Sequence, residues 1–338
     1  MQRLLVTVPL LVGSLAWAIN FGLNRIDKTK QTKNTTTLKY GSTMPRVTLY
    51  SGLVGMTFSL SFVREFLKLN LRSHIHSQLS REWIAFWNST PFFNALAIAE
   101  PSVLKKIFRP YLTKCLSSFD RLDVLTSHYQ FIMRHGLGDI VLRAAKTPVV
   151  LSQFSAKSDK MYHVRLVVDN TMEREGEMVL QLVSEENILF SVAFTFFDHL
   201  GKATVAIGCI QGGKSQDNLD QIRFSTRDMF GLRPKTLMVR LVQQIGFQLG
   251  CVDMLLVGNG NRTVSQQLRK GIVFADYNSA WEELGALRRA DGDFKLACSG
   301  LSAPDLQAIA SSKRSEAKKR FALLGTVSEL TVEGLRQK

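Results

Sequence analysis

The spacing of apolar positions changes twice along the chain, and those changes set out its elements. Between Ser80 and Gly136 the period is helical: Trp83 and Trp87 stand four apart, and Phe119, Leu122, Leu125, Tyr129, Ile132 and Met133 follow Ser118. Pro91, Pro101 and Pro110 punctuate this run. From Thr147 the chain turns to short apolar runs with turn residues at Asn187, Asp198-His199 and Gly201, predicting strands over Val149–Phe154, Tyr162–Val168, Glu177–Leu182, Ile188–Phe197 and Thr204–Cys209 in an antiparallel meander, several with polar alternation. The stretch from Ala203 to Gly260 then reads as strand, helix and strand. Its helix spans Pro234–Leu249 with Met238, Leu241, Val242, Ile245 and Leu249 on one face, and Val252–Val257 is the returning strand. A short helix at Trp281, a last strand at Phe294–Cys298 and a helix from Pro304 onward complete the pattern, with Ala317, Phe321, Leu324 and Val327 roughly on one face.

These elements predict an α+β fold: a helical N-terminal region, a mixed sheet with a central helix, and a basic C-terminal helix. The expected divisions are 1–43 as a leader or extension with little structure, 44–146 helical, 147–300 the sheet domain, and 301–338 the basic helix. Three readings fit the apolar run Leu4–Ile19 with its Ala16-Trp17-Ala18: a cleaved signal peptide, an extension preceding a true start at Met44, and a short membrane anchor. Further on, Arg64, Lys68 and Arg72 recur every four residues and give one helix a basic edge, whereas Leu67, Leu69 and Leu71 point in several directions. A membrane-surface helix and a helix packed on the main body both fit that segment.

Charge changes the picture more than composition does. With 45% hydrophobic and 21% charged residues the 338-residue chain is ordinary, but a formal net charge of +15 favours acidic partners such as phospholipid headgroups or other envelope components. Nucleic acid fits less well, because KRSEAKKR near the C-terminus has no interleaved aromatics and no zinc-finger, RNP or helix-turn-helix signature accompanies it. Cys115, Cys209, Cys251 and Cys298 have no paired spacing, so free thiols and a cytoplasmic location, peripheral on the inner membrane, are expected; cleavage after residue 18 would instead make the protein periplasmic. His74 and His76 lack a third ligand, so no metal is expected.

Few residues carry chemistry. His128 and His135 lie seven apart on one predicted helix, where a helix–helix packing role is expected, and His128 is in addition a candidate general base. Glu175 and Glu177 bracket Gly176; Glu175 is the second catalytic candidate, although a solvated turn accounts for the pair equally simply. Lys105, Lys106, Arg109 and Lys114 form a basic cluster that reads as a wet face or a phosphate patch. Gln211-Gly212-Gly213-Lys214 reads as a turn, lacking the spacing of a nucleotide-binding loop.

Seven pieces of sequence resemble the bacterial VirK/YbjX family: RPYL (Arg109–Leu112), SHYQF (Ser127–Phe131), REGEMVLQL (Arg174–Leu182), GLRPKTLM (Gly231–Met238), DYNSAWEELG (Asp276–Gly285), DGDFKL (Asp291–Leu296) and RSEAKKRFALL (Arg314–Leu324). The resemblance implies a virulence and envelope-stress role, in surface display of a virulence protein or tolerance of cationic antimicrobial peptides. The order of strands, loop, helix and strand is in addition similar to acyltransferases of the GNAT type. That likeness implies coenzyme A as cofactor, with Arg227, Gly231, Arg233 and Lys235 at the head of the central helix as its binding residues. The usual glycine spacing is absent there, and Pro234 supplies no N–H to a phosphate.

Overall fold

The computed structural model describes residues 45–168, 172–213, 216–263 and 276–337. The leader expected over 1–43 and the Lys214 end of the Gly-containing turn lie outside the described residues. The chain divides into two compact units, 1–94 and 95–338, so the last helices of the expected 44–146 region belong to the same unit as the sheet.

In the first unit, a 3-10 turn at Leu49–Leu53 precedes helix α1 (Leu60–Ile75) and helix α2 (Ser77–Trp87). Ser59 caps α1 by accepting the Phe62 N–H at 3.4 Å. Phe66 and Leu69 turn inward, and Phe66 meets Tyr50 with ring centroids 5.4 Å apart. The helical spacing of Trp83 and Trp87 has the expected consequence: both are buried and meet edge to face at 5.2 Å. Asn88 ties the entry of the unit by accepting the Val47 N–H and donating to the Val47 carbonyl.

The second unit is organised by one sheet. Helix α3 (Pro91–Ala99) runs across the division at residue 94, and a 3-10 segment at Pro101–Phe108, helix α4 (Ser118–Arg134) and helix α5 (Gly138–Ala144) follow. The strands are β1 (Val149–Ser155), β2 (Met161–Val167), β3 (Met178–Ser184), β4 (Asn187–His199), β5 (Lys202–Gly212), β6 (Asp253–Leu256), β7 (Leu287–Arg288) and β8 (Phe294–Ala297), in the order β1-β2-β3-β4-β5-β6-β8-β7. Neighbours are antiparallel except β5 and β6, which run parallel over Thr204–Ile207 and Asp253–Leu256. A parallel pair needs a crossover, supplied by helices α6 (Gln216–Asp228) and α7 (Pro234–Gln248). Helix α8 (Tyr277–Glu283) precedes β7, and α9 (Ser311–Arg336) closes the chain.

Alternation holds for β1 and β2 but not for the central strands. Leu166, Leu180, Val192 and Ile210 stand in register on one face and Val167, Val179, Ala193 and Cys209 on the other, and both rows are buried. Helix α4 packs on β4, α7 on β3 to β5, and α9 on β1 and α7. Three elements were not singled out by period: α5, which follows the Gly136 where the helical run ends, α6, whose sequence is polar on average, and β7, only two residues long. The C-terminal helix begins at Ser311 rather than near Pro304.

Candidate functional site

Gly176 places two carboxylates in different environments. A Cβ at this position would lie 2.5 Å from the Phe194 nitrogen, so only glycine lets the backbone press on β4 here. Its neighbours Glu175 and Glu177 are consequently buried, 7% and 3% exposed, which overturns the solvated-turn reading.

Glu177 is the centre of a buried polar network. Its Oε1 accepts from Lys106 Nζ at 2.8 Å, and its Oε2 accepts from the Tyr129 hydroxyl. The Glu177 N–H reaches Thr195 Oγ1 at 3.1 Å, and the same hydroxyl pairs with Tyr111 at 2.6 Å. Burial pushes the Glu177 carboxyl up, but the Lys106 charge and the bonds from Lys106 and Tyr129 outweigh it and hold the group below the usual range. Burial, then the Glu177 charge, raises both tyrosines. Lys106 is therefore a buried ion-pair partner and not part of a wet basic face, while Arg109 is paired with Glu173.

His128 lies beside this network, fully buried. Its Nδ1 accepts the Phe196 N–H at 3.1 Å, which leaves the proton of the neutral ring on Nε2, an atom with no hydrogen-bond partner among the described residues. Burial lowers its pKa to about 4, with Glu177 opposing and Lys106 adding to the shift. The ring stacks on Phe196. His128 thus packs against a strand instead of a second helix, and at zero exposure its position is that of a structural group rather than a solvent-accessible base. His135 is separate, its Nδ1 placed 2.9 Å from the Phe131 carbonyl.

Glu175 points into a second cluster. Its Oε1 accepts from Thr263 at 2.9 Å, and burial raises its pKa against that bond and the Arg174 and Arg262 charges. The Arg262 guanidinium lies 3.8 Å over the Tyr277 ring and donates to its hydroxyl at 3.1 Å. That hydroxyl donates to the Ile210 carbonyl at 2.7 Å and accepts the Ile210 N–H at 2.8 Å. Ile210 lies on β5 beyond the last residue paired with β6, and Tyr277 satisfies the backbone groups that β6 leaves open.

Two of the four residues expected to hold a cofactor share a partner. Arg233 and Lys235 both reach Glu283 Oε2, at 3.2 and 3.1 Å. Gly231 has φ +78°, and the Arg320 guanidinium lies 3.3 Å from where its Cβ would be; Lys319 sits over Phe230 at 5.7 Å. Arg227 is exposed, and Pro234 is the first residue of α7. Neither His128 nor Glu175 makes a contact to this group in the bonds described.

A third feature was hidden by the sequence. On α1, Leu60, Leu67, Leu71 and Ile75 are 90%, 49%, 63% and 65% exposed, with Phe58 before them at 69%. Spacings of seven, four and four put the helical four on one side, and Arg64, Lys68 and Arg72 run beside them. The three leucines that pointed in too many directions are sorted by packing: Leu69 is inward, Leu67 and Leu71 outward.

These observations define an α+β protein with a mixed sheet, a buried ion-pair network and an exposed amphipathic helix. The chain belongs to the VirK/YbjX family: the family described as "Protein of unknown function (DUF535)" matches residues 59–332. It is 28% identical over 272 residues to "Uncharacterized protein YbjX" of Escherichia coli (strain K12), covering 79% of this chain and 81% of that one. An "Uncharacterized protein" of Haemophilus influenzae is 23% identical over 269 residues, covering 79% and 88%. Among solved structures, a cAMP-binding acyltransferase from Mycobacterium smegmatis has a TM-score of 0.28 at 10% identity, the match covering 70% of this chain and 66% of that chain. That likeness is faint. Among the described residues no helix is long and apolar enough to cross a membrane.

Proposed function

We propose that this protein is a binding or assembly factor that docks reversibly on acidic membrane surfaces, in the virulence and envelope-stress role that its family resemblance implies. The exposed stripe of α1 carries this reading. A helix that turned Leu60, Leu67, Leu71 and Ile75 to water without a partner would forgo the burial that stabilises most surface helices. Seating a Leu or Ile side chain fully in an apolar phase is worth about 1.5–3 kcal/mol, and each Lys or Arg near an anionic surface adds about 1 kcal/mol. Several such contacts give reversible peripheral attachment, and the net charge of +15 favours the acidic leaflet. The bacterial inner membrane, approached from the cytoplasm, presents that chemistry.

Vesicle flotation tests it. The protein is expected to float with vesicles containing anionic phospholipid and to remain at the bottom with purely zwitterionic ones. Leu67→Ser with Leu71→Ser is expected to abolish flotation without lowering the melting temperature, since both side chains are exposed. Equal recovery with both lipids, or unchanged flotation of the double variant, defeats the reading.

A second reading, an acyltransferase using acyl-coenzyme A, is favoured by one arrangement: a parallel β5–β6 pair whose crossover carries Arg227 in the last turn of α6, Gly231 in the connection, and Arg233 and Lys235 at the start of α7. On that reading the cofactor's phosphates displace Glu283 from Arg233 and Lys235, and its arm competes with Tyr277 for the edge of β5 at Ile210. Calorimetric titration with acyl-coenzyme A decides it: heat that disappears in Arg233→Ala with Lys235→Ala supports the enzyme, and no heat at millimolar cofactor removes it.

A further inference from the structure

A cleft of about 740 Å³ opens on the β1–β2 side of the sheet, between the strands, the β1–β2 and β3–β4 turns and α6. Nothing in the membrane reading uses it. Its floor comes from one face of the sheet, because Met161, His163 and Arg165 alternate on β2 and stand opposite Ser155, Gln153 and Val150 of β1. Three partly exposed apolar side chains line it: Val150 at 47%, Met161 at 47%, and Phe224 of α6 at 39%, with the Lys160 ammonium 5.3 Å over the Phe224 ring.

The charges of the cleft are separated. At the inner end, Arg165 gives its Nε to Gln181 at 2.8 Å, which leaves both Nη atoms without a partner among the described residues; His163 next to it likewise makes no hydrogen bond there. At the outer end stand Asp159, Glu185 and Glu186, with Lys160 bound to Glu185 at 3.2 Å. Asp159 and Glu186 have no hydrogen-bond or ion-pair partner among the described residues. Counting along β3 from Gln181 beside Arg165 to Glu185 gives four residues, or about 13 Å at 3.3 Å per residue. The outer end is also held against backbone preference, since Glu185 and Glu186 have φ of 48° and 64° in the two-residue turn between Ser184 and Asn187, where Asn-Gly is the usual choice.

A simple anion does not suit this cleft, because three carboxylates face it against Lys160, Arg165 and an imidazole. A simple cation does not suit the free guanidinium fork. A dipolar ligand with an apolar middle suits both ends. We propose that the cleft binds a short extended peptide with free termini, its carboxylate on the Arg165 fork beside His163, its ammonium at Glu186 and Asp159, and its side chains on Val150, Met161 and Phe224. A tetrapeptide spans the required length, because an extended chain covers about 3.3–3.6 Å per residue.

The test uses the full chain and the tetrapeptide Ala-Leu-Leu-Ala in three forms: free termini, N-acetylated and C-amidated, titrated by calorimetry. The free form is expected to bind about tenfold more tightly than either blocked form, a difference of about 1.4 kcal/mol for each charge lost. Arg165→Met is expected to erase the preference for acid over amide and leave that for the free amine, while Glu186→Gln does the reverse. Glu185→Asn with Glu186→Gly relieves the turn, and is expected to raise the melting temperature while weakening the free form to the level of the N-acetylated one. No heat from any form at millimolar peptide overturns the proposal. So does a preference that Arg165→Met leaves intact, or equal affinity for the free and N-acetylated forms, which would make this a plain anion site. A thermally stabilised turn variant with undiminished binding also overturns the role given to the carboxylate rim.

Discussion

The Lys106 ammonium lies 2.8 Å from the Glu177 carboxylate, with the two side chains 6% and 0% exposed. The pair joins the 3-10 segment after α3 to the start of β3, 71 residues away. Such a pair contributes little relative to apolar packing, yet either charge alone is costly in the interior.

Lys106→Met therefore leaves Glu177 charged and uncompensated, and is expected to destabilise the fold by about 3–5 kcal/mol. Adding Glu177→Leu removes the stranded charge, and the double variant is expected to recover a good part of that loss. Chemical denaturation of the single and double variants measures both; a double variant no more stable than Lys106→Met would show that the network's hydroxyls matter more than its charges.

His128 makes stability depend on pH. The unfolded chain binds a proton on this ring near its ordinary value of 6.5, whereas the folded protein refuses it until about 4. Between those values the unfolded state holds more protons, so this contribution is fully present above the ordinary value and declines as pH falls to the folded one, by about 3 kcal/mol in all. Glu177, whose folded pKa is depressed, loses its contribution in the same direction at lower pH. Denaturation free energies of the wild type are expected to slope downward on acidification through this window, and His128→Asn to flatten the slope; parallel slopes would assign the dependence elsewhere.

Gly208 interrupts the β4–β5 register between Cys209 opposite Ala193 and Ile207 opposite Phe194. A Cβ there would sit 2.0 Å from the Glu175 carbonyl oxygen. Gly208→Ala is expected to cost about 1–3 kcal/mol, as forced overpacking usually does. Gly260, with nothing within 4 Å of its Cβ position and no positive φ, is the control, and Gly260→Ala is expected to be neutral or slightly stabilising. Equal melting temperatures for the two variants would refute the close approach.

Tyr277→Phe keeps the ring under Arg262 but removes the hydroxyl that serves both backbone groups of Ile210. Each buried group left unpaired costs about 1–3 kcal/mol, so a loss of several kcal/mol and faster amide exchange at Ile210 are expected. Unchanged exchange at that amide would mean that another group satisfies it.

Local residue patterns set the elements and much of their order. Helical spacing from Ser118, strand runs from Val149 to Cys209 and the amphipathic Pro234–Leu249 stretch are local consequences of backbone period, and each element stands where that period put it. The family pieces were legible as well, and several of their polar residues, among them Tyr111, His128, Tyr129, Glu175, Glu177 and Tyr277, are buried in the networks at the heart of the second unit. What the sequence left open was the environment of each side chain. Glu177 and Lys106 are polar letters that a linear reading assigns to water, and only packing across 71 positions buries them as a pair. Leu67 and Leu69 are identical letters two apart, and only the burial of Phe66 and Leu69 in the folded protein decides that Leu67 and Leu71 face outward. The cleft beside Arg165 likewise exists because two turns and α6 meet at one end of the sheet. Period is a property of neighbours in the chain; burial and charge pairing are properties of neighbours in space.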